Sequence, residues 1–198
     1  MLGVGPGIRD VLWLQGCHIG CKSCANKDYT PHIPKKIMDI AVFIRHFQNR
    51  KYLIDGITVT GGEPTEQAKA LTPLLKAIQG FGLSTVVYTG HDYAYLSSAN
   101  NHDIIELLQY VDLLIDGPFD RHQASYNLDW RGALNQRLIY LTDRLKNTQV
   151  SKTTGEIQLN ADTLSFVGCG TIPLFNTIKH NIKSYDNTIK QVEKYAGD

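Results

Sequence analysis

The sequence predicts an α/β fold, a partial barrel of parallel strands and helices left open on one side. Three observations carry this. Strand-length apolar runs alternate with amphipathic helical runs over residues 1–145, the pattern of βα units around a parallel sheet. Each strand-like run is followed at its C-terminal end by chemically distinctive residues. These are a cysteine loop, then Gly61-Gly62-Glu63-Pro64, Tyr88-Thr89-Gly90 and Asp116-Gly117-Pro118-Phe119. In barrels of this kind, ligands and catalytic groups gather at that one face. A complete eightfold barrel takes about 250 residues, so the barrel expected here is incomplete, and an open side suits a large substrate.

The first strand is expected at 10–15 (DVLWLQ), running straight into the cysteines. A helix over 36–48 follows from Ile37, Ile40, Ala41, Ile44 and Phe47 at helical spacing. Residues 54–60 read as a strand, with Ile57 and Val59 alternating with Thr58 and Thr60. A helix over 65–79 carries Ala68, Leu71, Leu74, Leu75 and Ile78 on one face. Residues 83–89 and 111–116 read as strands on either side of a helix near 102–110. Residues 137–145 carry no clear period, and 156–167 fit a hairpin turning at Asn160-Ala161-Asp162.

The polar stretch 146–155 (KNTQVSKTTG) is the best linker. It divides a core of residues 1–145 from a C-terminal extension, 146–198, of linker, short β segment and amphipathic helix. In that helix, Ile178, Ile182, Tyr185, Ile189, Val192 and Ala196 make a narrow apolar seam of coiled-coil type. The seam either docks on its own domain or meets a partner chain, a second copy making a homodimer.

Composition bounds the function. With 42% hydrophobic residues, the 198-residue chain can build a core and is not of the disordered class. No apolar run reaches membrane-spanning length, and Gly and Pro near the N-terminus break any signal-peptide pattern. A net charge of +1 offers no field for nucleic acid or an anionic membrane. Four cysteines are too few for a disulfide scaffold. A cytoplasmic protein is expected.

Cys17, Cys21 and Cys24 form C-x3-C-x2-C within GCHIGCKSCAN. A short loop can turn three thiolates onto one metal centre. Zinc would want a fourth ligand, which His18 or His32 could supply. Three unrelated buried thiols are a further reading. The last is a [4Fe–4S] cluster on three cysteines instead of the usual four, leaving one iron open to an external ligand. Cys169 stands apart and reads as a small buried hydrophobe. Gly61-Gly62 would let a small molecule approach the backbone, and Glu63 adds a carboxylate able to pair with an ammonium group.

GCHIGCKSCAN followed by TGGEP resembles the radical S-adenosylmethionine (SAM) enzymes. With GPGIR, VYTGH, LIDGPF and WRGALNQR, residues 3–140 resemble the activating proteins of anaerobic ribonucleotide reductases, relatives of the pyruvate formate-lyase activases. The resemblance implies a partial barrel of the radical SAM type with a C-terminal helical extension. It implies a [4Fe–4S] cluster on Cys17, Cys21 and Cys24, with SAM bound at the open iron through its amino and carboxylate groups. Gly61, Gly62, Glu63 and Pro64 match the segment that binds the SAM amino group. Tyr88 and Thr89 match a strand end facing its ribose or methionine, and Asp116 an acidic strand-end residue near SAM. Trp130, Arg131, Asn135, Gln136 and Arg137 match a further family stretch, for which a structural role in closing the barrel is expected.

The implied activity is reductive cleavage of SAM to a 5′-deoxyadenosyl radical, which takes a hydrogen from a glycine of a partner glycyl-radical enzyme. A flavodoxin or ferredoxin-type protein would supply the electron. No side chain of this chain is assigned as an acid, base or nucleophile. There are departures: Ser23 and Ala25 flank the third cysteine without an aromatic, Ala133 replaces a serine, and Pro118 stands where related activases have a lysine. Two other readings are a radical SAM enzyme acting on a peptide or metabolite, and a non-catalytic metal-stabilised binding module.

Overall fold

The computed structural model describes residues 3–125, 127–148, 155–159, 163–168 and 190–191. Five strands form one sheet in chain order: β1 (Arg9–Leu14), β2 (Gly56–Gly61), β3 (Ser84–Tyr88), β4 (Leu113–Asp116) and β5 (Arg137–Tyr140). The first four are parallel and β5 returns antiparallel against β4. The intervening helices are α1 (Ile40–Arg50), α2 (Ala68–Gly80), α3 (Tyr93–Ser98) and α4 (His102–Leu108). The fold is thus α/β with a mostly parallel sheet, as the alternation predicts.

Helix α2 shows why. Ala68, Leu71, Leu74, Leu75 and Ile78, the five residues expected on one face, are all buried against Ile57 and Val59 of β2 and Val87 of β3. Its entry is a 3-10 turn, Pro64–Gln67, with Pro64 at the first position, where a missing N–H costs nothing. Helix α1 begins four residues later than its period suggests. Asp39 is the cap, its carboxylate accepting the Ala41 N–H at 2.8 Å, so Ile37 falls outside the helix and is 88% exposed. An N-cap carboxylate outranks an apolar residue that merely fits the spacing.

The unclear stretch at 137 is an edge strand. Leu138 and Tyr140 pack on the Val86, Leu113, Ile115 and Trp130 cluster, whereas Ile139 packs on the main core, an alternation with period two. Strands β6 (Gly155–Leu159) and β7 (Thr163–Gly168) pair antiparallel, which is the expected hairpin; its turn, 160–162, lies outside the described residues. The tail was expected to be helical. Lys190 and Gln191 instead form β8, pairing parallel with Thr163 and Leu164 at the edge of β7, where free backbone groups can be satisfied. The rest of the expected tail helix and Cys169 lie outside the described residues. No helix among the described residues is long and apolar enough to cross a membrane.

At the N-terminal end of the sheet, Arg9 is fully buried. Its guanidinium donates to the Ile57, Ser84 and Pro6 carbonyls and to the Thr58 and Ser84 hydroxyls. Burial pulls its pKa down to about 10, with Asp112 and Asp55 opposing, so it remains charged at neutral pH. Arg9→Met strands those acceptors. It is expected to cost about 3 kcal/mol or more of stability, since each unmet buried group costs about 1–3 kcal/mol. A urea midpoint equal to that of the native chain would count against this bonding.

Candidate functional site

The cysteines sit on a loop that closes on itself. Gly16 and Cys17 donate their N–H groups to the Tyr29 and Thr30 carbonyls at 2.8 and 3.0 Å. Gln15 Nε2 reaches the Pro31 carbonyl, and Trp13 lies 5.3 Å from Tyr29, centroid to centroid. Cys17, Cys21 and Cys24 are all partly buried. Burial pushes the Cys17 thiol up, and it does the same for Cys24, where Cys21 adds to it. The Asn26 N–H donates to Cys24 Sγ at 3.3 Å. A bound cation reverses such a balance, because a coordinated thiol is deprotonated.

The pairing of β1 with β2 continues past both strand ends into this loop. Gly62 N–H donates to the Leu14 carbonyl and Glu63 N–H to the Gly16 carbonyl, each at 2.8 Å. Gly62 has no room for a side chain: a Cβ there would stand 2.1 Å from the Gly16 oxygen. The loop also reaches β3, since a Cβ at Gly90 would meet Ile19 Cδ1 at 2.5 Å.

Glu63, only 1% exposed, binds two strand ends together. Its Oε1 accepts from Thr65 N–H (3.0 Å), the Thr65 hydroxyl (2.7 Å) and the Thr89 hydroxyl (2.9 Å), and its Oε2 from Gly90 N–H (2.9 Å). The carboxylate is therefore spent on its own neighbours. Pro64 is buried, and Gly61 adopts a positive φ of 104° at the strand end.

The other expected residues lie along the same edge of the sheet. Tyr88 donates its hydroxyl to the Trp130 carbonyl at 2.6 Å. Asp116 is fully buried. It accepts from Arg137 Nε at 3.0 Å, from Arg137 Nη2, and from Tyr93 N–H at 2.7 Å. Residues 130–137 wrap that strand end. Asn135 and Gln136 donate to the Pro118 and Gly117 carbonyls, and Gln136 Oε1 accepts the Gly132 and Ala133 N–H groups. Trp130 holds a left-handed φ of 54°, rare for a bulky residue. The pairing of Asp116 with Arg137 was not read from the sequence, although a buried acid with an Arg near the next strand was a usable signal. His18 and His32, offered as fourth ligands to zinc, both turn to Glu66, at 3.0 and 2.9 Å from its Oε2.

Among the described residues, His18, His32 and Glu66 form the one trio of His, Cys, Asp or Glu whose ligand atoms all lie within 4.8 Å of one another. Three thiols on one short loop are a soft donor set of the kind that holds an iron–sulfur cluster.

Comparison with known proteins agrees. Residues 4–139 match a family model described as a 4Fe-4S single cluster domain. The anaerobic ribonucleoside-triphosphate reductase-activating protein of Vibrio cholerae is 30% identical over 146 residues, covering 67% of this chain and 87% of that protein. The protein of the same name from enterobacteria phage T4 is 30% identical over 154 residues, 70% and 88% of the two chains. The pyruvate formate-lyase-activating enzyme of Staphylococcus epidermidis is 29% identical over 116 residues, 56% of this chain and 46% of that one. The chain belongs to the 4Fe–4S single-cluster family of reductase-activating proteins. Cys17, Cys21 and Cys24 all lie within the matched residues.

Two substitutions test the frame around them. Gly62→Ala must push the Gly16 carbonyl, and with it the cysteine loop, away from β2. Iron and sulfide content after anaerobic reconstitution should fall while far-UV circular dichroism is kept. Glu63→Gln turns an amide NH2 towards groups that are themselves donors. A loss of about 1–3 kcal/mol is expected in urea unfolding.

Proposed function

We propose that this chain is a radical SAM activating enzyme. It would reductively cleave SAM and generate a glycyl radical on a partner enzyme of the anaerobic ribonucleotide reductase type. The observation that carries the reading is the three-thiol loop hydrogen-bonded directly to the Gly62-Glu63 turn, in a chain of the single-cluster family. When bound, the cluster supplies the electron that breaks a C–S bond of SAM, giving the 5′-deoxyadenosyl radical that abstracts the glycine hydrogen.

This chain's residues then have the tasks of binding, orienting and excluding. Cys17, Cys21 and Cys24 would hold the cluster by three of its irons. Gly61, Gly62, Glu63 and Pro64 would offer backbone groups to the SAM amino group, since the Glu63 side chain is committed to Thr65, Thr89 and Gly90. Tyr88 and Thr89 would flank the ribose and methionine. Asp116 would act through its grip on Arg137 rather than by direct approach. Reacting atoms must be held at about 3–3.5 Å, so the partner's glycine loop would have to enter over this edge of the sheet. A sheet curved into an open barrel, its core within residues 1–145, would admit it. A flavodoxin or ferredoxin-type donor in the cytoplasm completes the proposal.

Incubation with SAM, dithionite and a candidate anaerobic reductase, without oxygen, should yield 5′-deoxyadenosine and a glycyl radical signal by EPR. Deoxyadenosine without that signal would assign the chemistry to a different substrate. Failure of both would overturn the reading. Cys21→Ala should lose the cluster's iron and all SAM cleavage while leaving the circular dichroism of the fold in place.

A further inference from the structure

His18, His32 and Glu66 come from three separate places. His18 follows the first cysteine, His32 stands just beyond the loop's closing bonds, and Glu66 lies in the 3-10 turn after Pro64. Glu66 Oε1 accepts the His18 N–H at 2.7 Å, which orients the carboxylate. Its other oxygen faces both rings, at 3.0 Å from His18 Nδ1 and 2.9 Å from His32 Nε2. The rings lie 3.8 Å apart at 31° to each other. Burial pushes the Glu66 acid up, but the hydrogen bonds from His32 and His18 outweigh it and hold the carboxyl below its usual range. It is an anion with two imidazole nitrogens at its edge.

We propose that His18, His32 and Glu66 are a second metal site, which takes one divalent transition ion of zinc's class through two imidazoles and a carboxylate. Two histidines and a glutamate are a known three-ligand set for zinc, with solvent in the remaining position. In a tetrahedral site with bonds of about 2.0–2.1 Å, ligand nitrogen and oxygen stand about 3.3 Å apart. The two nitrogen–oxygen distances, 3.0 and 2.9 Å, are within a few tenths of an ångström of that spacing, and the two nitrogens lie within 4.8 Å of each other, so small ring rotations admit the ion. The exposed rings leave room for water to complete the coordination. Imidazole and carboxylate without thiolate suit zinc and its divalent neighbours, so the site is chemically distinct from the cysteines beside it. Gly16 is part of its construction: a Cβ there would press on the His32 ring at 2.9 Å. An ion here would tie residues 18 and 32 to the turn after Pro64, bracing the cysteine loop from outside. The proposal goes beyond the SAM chemistry and stands independently of it.

The test uses the full chain with its iron and sulfide reconstituted, so that the thiols are occupied. Zinc alone is added, the protein is dialysed, and zinc and iron are counted per chain by mass spectrometry. One retained zinc per chain is expected. His32→Ala and Glu66→Gln should each weaken retention at least about tenfold, because losing even an outer-shell partner costs about 10–100-fold. Iron content should stay unchanged in at least one of the two. The zinc-edge absorption spectrum of the native chain should show nitrogen and oxygen neighbours only. No retained zinc, sulfur in its first shell, or retention undiminished in both variants would overturn the proposal.

Discussion

The carboxylate of Glu63 is buried, and four donors converge on it from the turn after β2 and from the end of β3. Charge in that position would be costly without full hydrogen bonding, and full bonding requires Thr65, Thr89 and Gly90 to be where they are. The same residue donates its N–H to Gly16, at the threshold of the cysteine loop. One side chain and one amide thus set the spacing of three strand ends. Gly62 allows that convergence by leaving the Gly16 carbonyl unobstructed.

A second clamp works on the far side. Asp116 holds Arg137 and the first turn of α3, and Asn135 and Gln136 hold the carbonyls just after β4. This edge of the sheet is therefore spanned by two buried acids, each hydrogen-bonded by groups of the protein itself.

Most of the parallel core was legible in the residues. The apolar face of α2 named its buried set because a 3.6 period over thirteen residues admits one reading. The strands of 54–60, 83–89 and 111–116 differ from those observed only by a residue or two at each end. The start of α1 was misplaced because Ile37 fits the spacing, while the decisive signal was a single capping aspartate. Helix α3 is six residues long, too short to declare a period, and β5 shows its direction only through its pairing with β4. At the site, the cysteines and GGEP were plain as motifs. That Glu63 bonds Thr89 and Asp116 bonds Arg137 was not, because those partners lie 26 and 21 residues away and meet them only in the fold. Glu66 escaped notice for a similar reason: it becomes meaningful only when His18 and His32 fold over it.

The strand order repeats the chain order from β1 to β5. Each strand therefore finds its neighbour in the one synthesised just before it, which keeps contacts local along the chain. A nascent polypeptide that has reached Gln67 already holds the groups that bond the mouth of the cysteine loop to the turn after β2, among them Leu14, Gln15, Gly16, Gly62, Glu63, Glu66 and Gln67 itself. The lock formed by Thr89 and Gly90 arrives some twenty residues later on the ribosome. The groups that shape the thiol cradle are thus translated before the groups that fasten it to the end of β3.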